Sequence, residues 1–171
     1  MEPQERRKKL LSLLQQSSAP RTGAELAAYF KVSRQVIVQD IAILRAAGEE
    51  IFSTPQGYLL ITAPKTNWVQ EIIACKHTRE QIEDELGLII DLGGRVLDVI
   101  VEHPVYGQLQ GSLMIAGRRD LNIFLEKINE TGANPLSFLT GGSHLHTVEA
   151  PSRQVIDEIL KQLQKKGFLD N

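Results

Sequence analysis

Residues 22–48 read TGAELAAYFKVSRQVIVQDIAILRAAG and decide the fold of the first part of the chain. Thr22 followed three residues later by Glu25 is a capping box, so a helix is expected from Gly23 to Phe30. Lys31-Val32 is a short turn, and Ser33 caps a further helix that ends before Gly48. In that helix Ile37, Ile41 and Leu44 fall at i, i+4 and i+7, which makes one buried stripe. Upstream, residues 4–16 form an apolar face from Leu10, Leu11, Leu13 and Leu14, and Ser17-Ser18-Ala19-Pro20 ends that helix. Downstream, Ile51-Phe52 and Tyr58-Leu59-Leu60-Ile61 read as two strands joined through Ser53-Thr54-Pro55-Gln56-Gly57, where the glycine can take positive φ. Three helices followed by a hairpin make a winged helix-turn-helix.

In a helix-turn-helix the second helix of the motif enters the major groove of DNA. With Ile37, Ile41 and Leu44 turned inward, the same helix offers Arg34, Gln35, Val36, Val38 and Gln39 outward. Arginine pairs with guanine and glutamine with adenine. Val36 and Val38 lie off the stripe, where they either meet a thymine methyl or pack on the preceding helix. Arg21 and Lys31 are placed to reach phosphates, as are Arg6 and Arg7. A carboxylate facing DNA repels phosphate, so Asp40 is assigned to local structure.

The chain has 171 residues, 42% hydrophobic and 23% charged, which suits two small globular domains. No apolar run spans a bilayer and no signal peptide opens the sequence, so a cytoplasmic protein is expected. The net charge of −2 is uneven: residues 1–62 hold eight Lys/Arg and six Asp/Glu, a net of +2, and residues 63–171 hold eleven and fifteen, a net of −4. The basic half is the one expected to face phosphate. Thr62-Ala63-Pro64-Lys65-Thr66-Asn67 interrupts regular structure, which divides the chain into domains 1–62 and 67–171. Cys75, the single cysteine, excludes an intrachain disulfide and any multi-cysteine metal site, and it reads as a small buried hydrophobe.

The second half reads as strand 68–76, a helix capped by Thr78 and stopped at Gly93-Gly94, strands 96–101 and 109–116, helix 120–129, strand 143–149 and a last helix capped by Ser152. The order βαββαβ predicts an α+β, ferredoxin-like sandwich with an added C-terminal helix.

All four histidines, His77, His103, His144 and His146, lie in this half. His144 and His146 stand at i and i+2 on a strand and therefore share a face, about 7 Å apart by the rise per residue. His77 ends the first strand, and Glu85 lies about two helical turns further on, with Glu80, Glu83 and Asp84 as rival carboxylates. Three imidazoles and a carboxylate suit zinc, nickel, cobalt, iron or manganese.

His77-Thr78, His103-Pro104-Val105-Tyr106-Gly107 and Gly142-Ser143-His144-Leu145-His146-Thr147 resemble the marks of the 3H domain over residues 68–168. Residues 32–48 resemble the winged helix of the biotin-repressor type. Together they resemble the niacin-responsive repressors of NAD biosynthesis and niacin uptake genes. That resemblance implies operator DNA as partner and nicotinic acid or a related pyridine carboxylate as co-repressor; a homodimer is expected because it is the usual answer to a two-fold operator. The resemblance also implies a divalent metal, with nickel and zinc the expected ions, on His77, Glu85, His144 and His146. His103 and Tyr106 are left for ligand contact or structure. The alternatives are a regulator for which the ion itself is the signal, and a metal-dependent enzyme fused to a winged helix. No Ser-His-Asp or Cys-His arrangement and no phosphate loop is present to support an enzyme.

Overall fold

The computed structural model describes residues 2–61 and 67–170. The chain forms two compact units, Met1–Pro64 and Lys65–Asn171. Of the link expected at 62–67, residues 62–66 lie outside the described residues. Among the described residues no helix is long and apolar enough to cross a membrane.

The first unit contains α1 (Pro3–Gln16), α2 (Gly23–Phe30), α3 (Arg34–Ala46), β1 (Ile51–Thr54) and β2 (Gly57–Leu60). Its helix starts follow the local sequence. Thr22 Oγ1 accepts from Glu25 N at 3.1 Å, and the Glu25 carboxylate accepts from Thr22 N at 2.8 Å. Both satisfy amides that a helix start leaves free. Leu10, Leu14, Leu26, Phe30, Ile37, Ile41, Leu44, Ile51 and Leu60 close the core. Truncating a fully buried member such as Ile37 to alanine would cost about 2–5 kcal/mol.

The hairpin is tied back to the rest of the unit on two sides. Arg21 and Tyr58 form an antiparallel bridge, with Tyr58 N donating to Arg21 O at 2.7 Å and Arg21 N to Tyr58 O at 2.9 Å. Gly57 permits this approach: its φ is +132°, and a Cβ there would stand 2.5 Å from Arg21 O. On the other side Arg45 of α3 donates to Ile51 O at 2.6 Å and to Ser53 Oγ at 2.8 Å.

The second unit contains β3 (Val69–Lys76), a one-turn 3-10 helix (Arg79–Gln81), α4 (Ile82–Asp91), β4 (Arg95–His103), β5 (Gly107–Ile115), α5 (Arg118–Thr131), a second 3-10 helix (Leu136–Thr140), β6 (Ser143–Ala150) and α6 (Arg153–Lys166). The four strands form one antiparallel sheet in the order β3-β6-β4-β5. A core between sheet and helices is built from Ile73, Ile89, Val96, Ile115, Leu121, Val148, Ile156 and Ile159, among others.

The element order and the mixed helix-and-sheet class agree with expectation, with one difference in strand order. A ferredoxin-like sheet places the first and third strands of the unit in the centre. Here the second and fourth, β4 and β6, are central. Side-chain chemistry explains the choice. β3 and β5 carry Gln70, Glu71, Lys76, Gln108 and Gln110, which an edge strand tolerates, whereas β4 and β6 bury Val96, Asp98, Val101, His144, His146 and Val148. The outer edge of β3 is itself covered. Lys76 N donates to Phe168 O at 2.8 Å and Asp170 N to Ala74 O at 3.0 Å, so the residues after α6 run along it.

Candidate functional site

β3 delivers His77 at its end, and Thr78 then starts the 3-10 turn that leads into α4. Ile82, Leu86 and Ile89 turn into the core, and that phase carries Glu85 inward with them. Glu80, Glu83 and Asp84, the rival carboxylates, are exposed. β6 lies beside β3 with His144 opposite Cys75 and His146 opposite Ile73, which puts both imidazoles on the helix-covered face. Gly142 lets β6 begin this close. Its φ is +98°, and a Cβ would stand 2.5 Å from His77 O.

The structure therefore brings His77, Glu85, His144 and His146 together. Their side chains are 2%, 1%, 2% and 4% exposed, so the group is sealed from bulk water. His77 Nε2 lies 2.6 Å from Glu85 Oε2, while His144 Nε2 and His146 Nε2 lie 3.5 and 3.4 Å from Glu85 Oε1. Each Nδ1 faces a backbone carbonyl: Thr78 O at 2.8 Å, Gly142 O at 2.8 Å and Asp98 O at 2.5 Å. A carbonyl only accepts, so each Nδ1 carries the hydrogen and Nε2 is the atom presented to the centre. Fixing the tautomer through the far nitrogen is how metal-ligating histidines are held.

The charges are strongly coupled. Burial pushes Glu85 up, but the charge of His146 and the close approach of all three imidazoles hold it well below the usual carboxylate range. Burial pulls His77 and His146 down, and Glu85 more than offsets this, leaving both raised. One oxygen is still left over. Glu85 Oε1 is buried and accepts no hydrogen bond. A buried carboxylate oxygen without a donor is costly, and three Nε2 atoms converge on the same carboxylate. Nitrogen and oxygen donors of this kind fit a divalent transition ion.

Two neighbours of this cluster were not visible in the sequence as site residues. Phe168 packs edge-on against His77, with ring centroids 5.7 Å apart. Cys75, expected only as a buried hydrophobe, has its sulfur among the donor atoms of Glu85 and His144. The pairing of β3 with β6 and with the residues after α6 creates both contacts, and no local pattern signals it. His103 stands apart from the four-residue cluster in its hydrogen bonding. Its Nδ1 accepts from Val105 N and Tyr106 N at 3.1 and 3.2 Å, closing the β4–β5 turn, and its ring lies 5.0 Å from that of the exposed Tyr106.

In the first unit Ser33 Oγ accepts from Val36 N at 3.4 Å and starts α3. Ile37, Asp40, Ile41 and Leu44 are buried; Arg34, Gln35, Val38 and Gln39 are exposed and Val36 is half-buried. Arg21 and Lys31 are also exposed. Arg6 and Arg7, expected at phosphates, both pair with Asp40. Arg6 Nε donates to Asp40 Oδ2 at 2.6 Å, and Arg7 Nη1 lies 3.5 Å from Asp40 Oδ1. The carboxylate of α3 draws both guanidinium groups of α1 onto itself.

A family model for an HTH domain matches residues 6–59, and one for the 3H domain matches residues 70–171. The "Probable transcription repressor NiaR" of Thermotoga maritima is 45% identical over 97% of this chain and 94% of its own length. The "Transcription repressor NadR" of Bacillus subtilis is 46% identical over 96% and 92%. The chain belongs to this family of HTH–3H transcription repressors. Both relatives are named as transcription repressors and the matched HTH domain is a DNA-binding module, which sets aside the fused-enzyme alternative.

Proposed function

We propose that this HTH–3H protein represses genes of NAD biosynthesis and niacin uptake, with nicotinic acid as co-repressor and a divalent ion, nickel or zinc, held by His77, Glu85, His144 and His146. The observation that carries the metal reading is Glu85 Oε1, buried and unpaired among three correctly oriented Nε2 atoms. A bound divalent ion supplies a Lewis-acid anchor for a ligand carboxylate. His103 Nε2 and Tyr106, at the β4–β5 turn, are the groups proposed to meet the pyridine ring. Operator DNA is bound by α3 through Arg34, Gln35, Val36, Val38 and Gln39, with Arg21 and Lys31 on the phosphates. A homodimer matches a two-fold operator.

The niacin reading rests on the resemblance of the His77-Thr78, His103–Gly107 and Gly142–Thr147 segments to the niacin-responsive repressors. Ligand controls DNA affinity only by binding the DNA-competent state more tightly. Operator affinity measured with nicotinic acid, with metal, with both and with a chelator tests the proposal. Tightening that needs both supports it. A response to metal alone reassigns the protein as a metal sensor, and equal affinity in all four conditions removes the regulatory reading.

A further inference from the structure

Cys75 occupies β3 directly opposite His144 and is fully buried. Its Sγ, a carboxylate oxygen of Glu85 and a ring nitrogen of His144 all lie within 4.8 Å of one another. Ligands on one ion, at about 2.3 Å for sulfur and about 2.0–2.2 Å for nitrogen or oxygen, stand at most about 4.5 Å apart. The sulfur is therefore within a small side-chain adjustment of a common centre. The strand pleat leaves it little alternative. Ile73, Cys75, His144 and His146 share the helix-covered face, so the thiol points to the side on which the imidazoles converge. Glu85 Oε1, buried and without a hydrogen-bond partner, is a second observation that points to a cation at this cluster.

We propose that the thiolate of Cys75 is a further ligand of the ion held by His77, Glu85, His144 and His146. The inference rests on the reading of that cluster as a metal centre. Ligation exchanges the S–H bond for a sulfur–metal bond, and the proton leaves to solvent; no oxidant or reductant is required. A thiolate among nitrogen and oxygen donors favours zinc, nickel or cobalt over manganese or magnesium. It also makes occupancy sensitive to thiol chemistry that a purely histidine-and-carboxylate centre would not feel.

Cobalt(II) titration of the full-length protein, reduced and free of oxygen, tests this. Visible ligand-field bands report that cobalt occupies the cluster, and a near-ultraviolet sulfur-to-cobalt charge-transfer band reports the thiolate. Both are expected in the unaltered chain. In Cys75→Ala and in the closer-volume Cys75→Val, the charge-transfer band is expected to vanish while ligand-field bands persist. Zinc affinity should fall about tenfold or more in both variants, with manganese affinity little changed. Ligand-field bands without a charge-transfer band in the unaltered chain overturn Cys75 ligation and leave the histidine centre standing. Absence of both bands, with no change on adding zinc in a competition assay, overturns the two readings together.

Discussion

Asp98 holds His146 through its backbone carbonyl and the next residue, Thr147, through its side chain. Its carbonyl accepts from His146 Nδ1 at 2.5 Å, its Oδ1 accepts from Thr147 N at 2.8 Å, and its Oδ2 accepts from the Gln110 side chain at 2.7 Å. The residue sits where the pairing of β4 with β5 slips between Val96 and Asp98, so a bulge turns a buried acid toward β6. Asp98→Ala should leave Thr147 N without its acceptor and loosen the imidazole. Zinc affinity is expected to fall on the order of tenfold or more, and stability by about 1–3 kcal/mol. Isothermal titration against a competing chelator and denaturant unfolding measure the two effects; unchanged affinity would show that the side chain does not position His146.

The exposed residues of the first unit should separate into base readers on α3 and phosphate contacts at Arg21 and Lys31. Arg34→Ala is expected to lose about 1–3 kcal/mol of discrimination at one operator position. Lys31→Ala and Arg21→Ala should weaken binding to all sequences and lower the salt dependence by about one unit each. Arg6→Ala should lower the melting temperature but leave the salt slope alone, because its guanidinium is already held by Asp40. Fluorescence anisotropy over a range of salt concentrations distinguishes these outcomes.

Gly57→Ala is expected to detach the wing. The new Cβ would stand 2.5 Å from Arg21 O in a backbone conformation at φ +132° that alanine rarely adopts. The strain is of order 1–3 kcal/mol and falls on the Arg21–Tyr58 bridge. Amide exchange at Arg21 and Tyr58 should accelerate while the amides of α4 in the other unit stay as protected as before.

The capping box of α2 predicts an acid limb in the stability of the first unit. Two hydrogen bonds from Thr22, backbone first and side chain second, lower Glu25 below its usual 4.5. A carboxylate depressed in the folded state binds fewer protons there than in the unfolded state. Its contribution is therefore complete above the unfolded value and is lost as pH falls through the folded one. Glu25→Gln should flatten that limb of the melting-temperature profile below pH 5. A limb of unchanged slope would assign the acid sensitivity to other groups.

Much of the first unit was legible because its signals are local. Thr22, Glu25 and Ser33 mark the helix starts, and the Ile37–Ile41–Leu44 stripe sets the orientation of α3 from residues a few positions apart. His144 and His146 were legible in the same way, as two neighbours on one strand face. The residues alone left Glu85 beside Glu80, Glu83 and Asp84; the family resemblance named Glu85, and the packing phase of α4, set by Ile82, Leu86 and Ile89 against the sheet, is what buries it. Arg6 and Arg7 looked free until α1 crossed α3 and met Asp40, thirty-four positions beyond Arg6.

Contiguous residues determined where helices begin, which faces are apolar and which side chains are fit to hold an ion. Folding decided the strand order, the approach of Cys75 and Phe168 to the histidines, and the placement of Asp98 behind His146. Caps and periodicity act over three or four residues and are written in the chain itself. Strand register joins residues dozens of positions apart, and it is selected by the joint burial of the whole sheet, which no single segment contains.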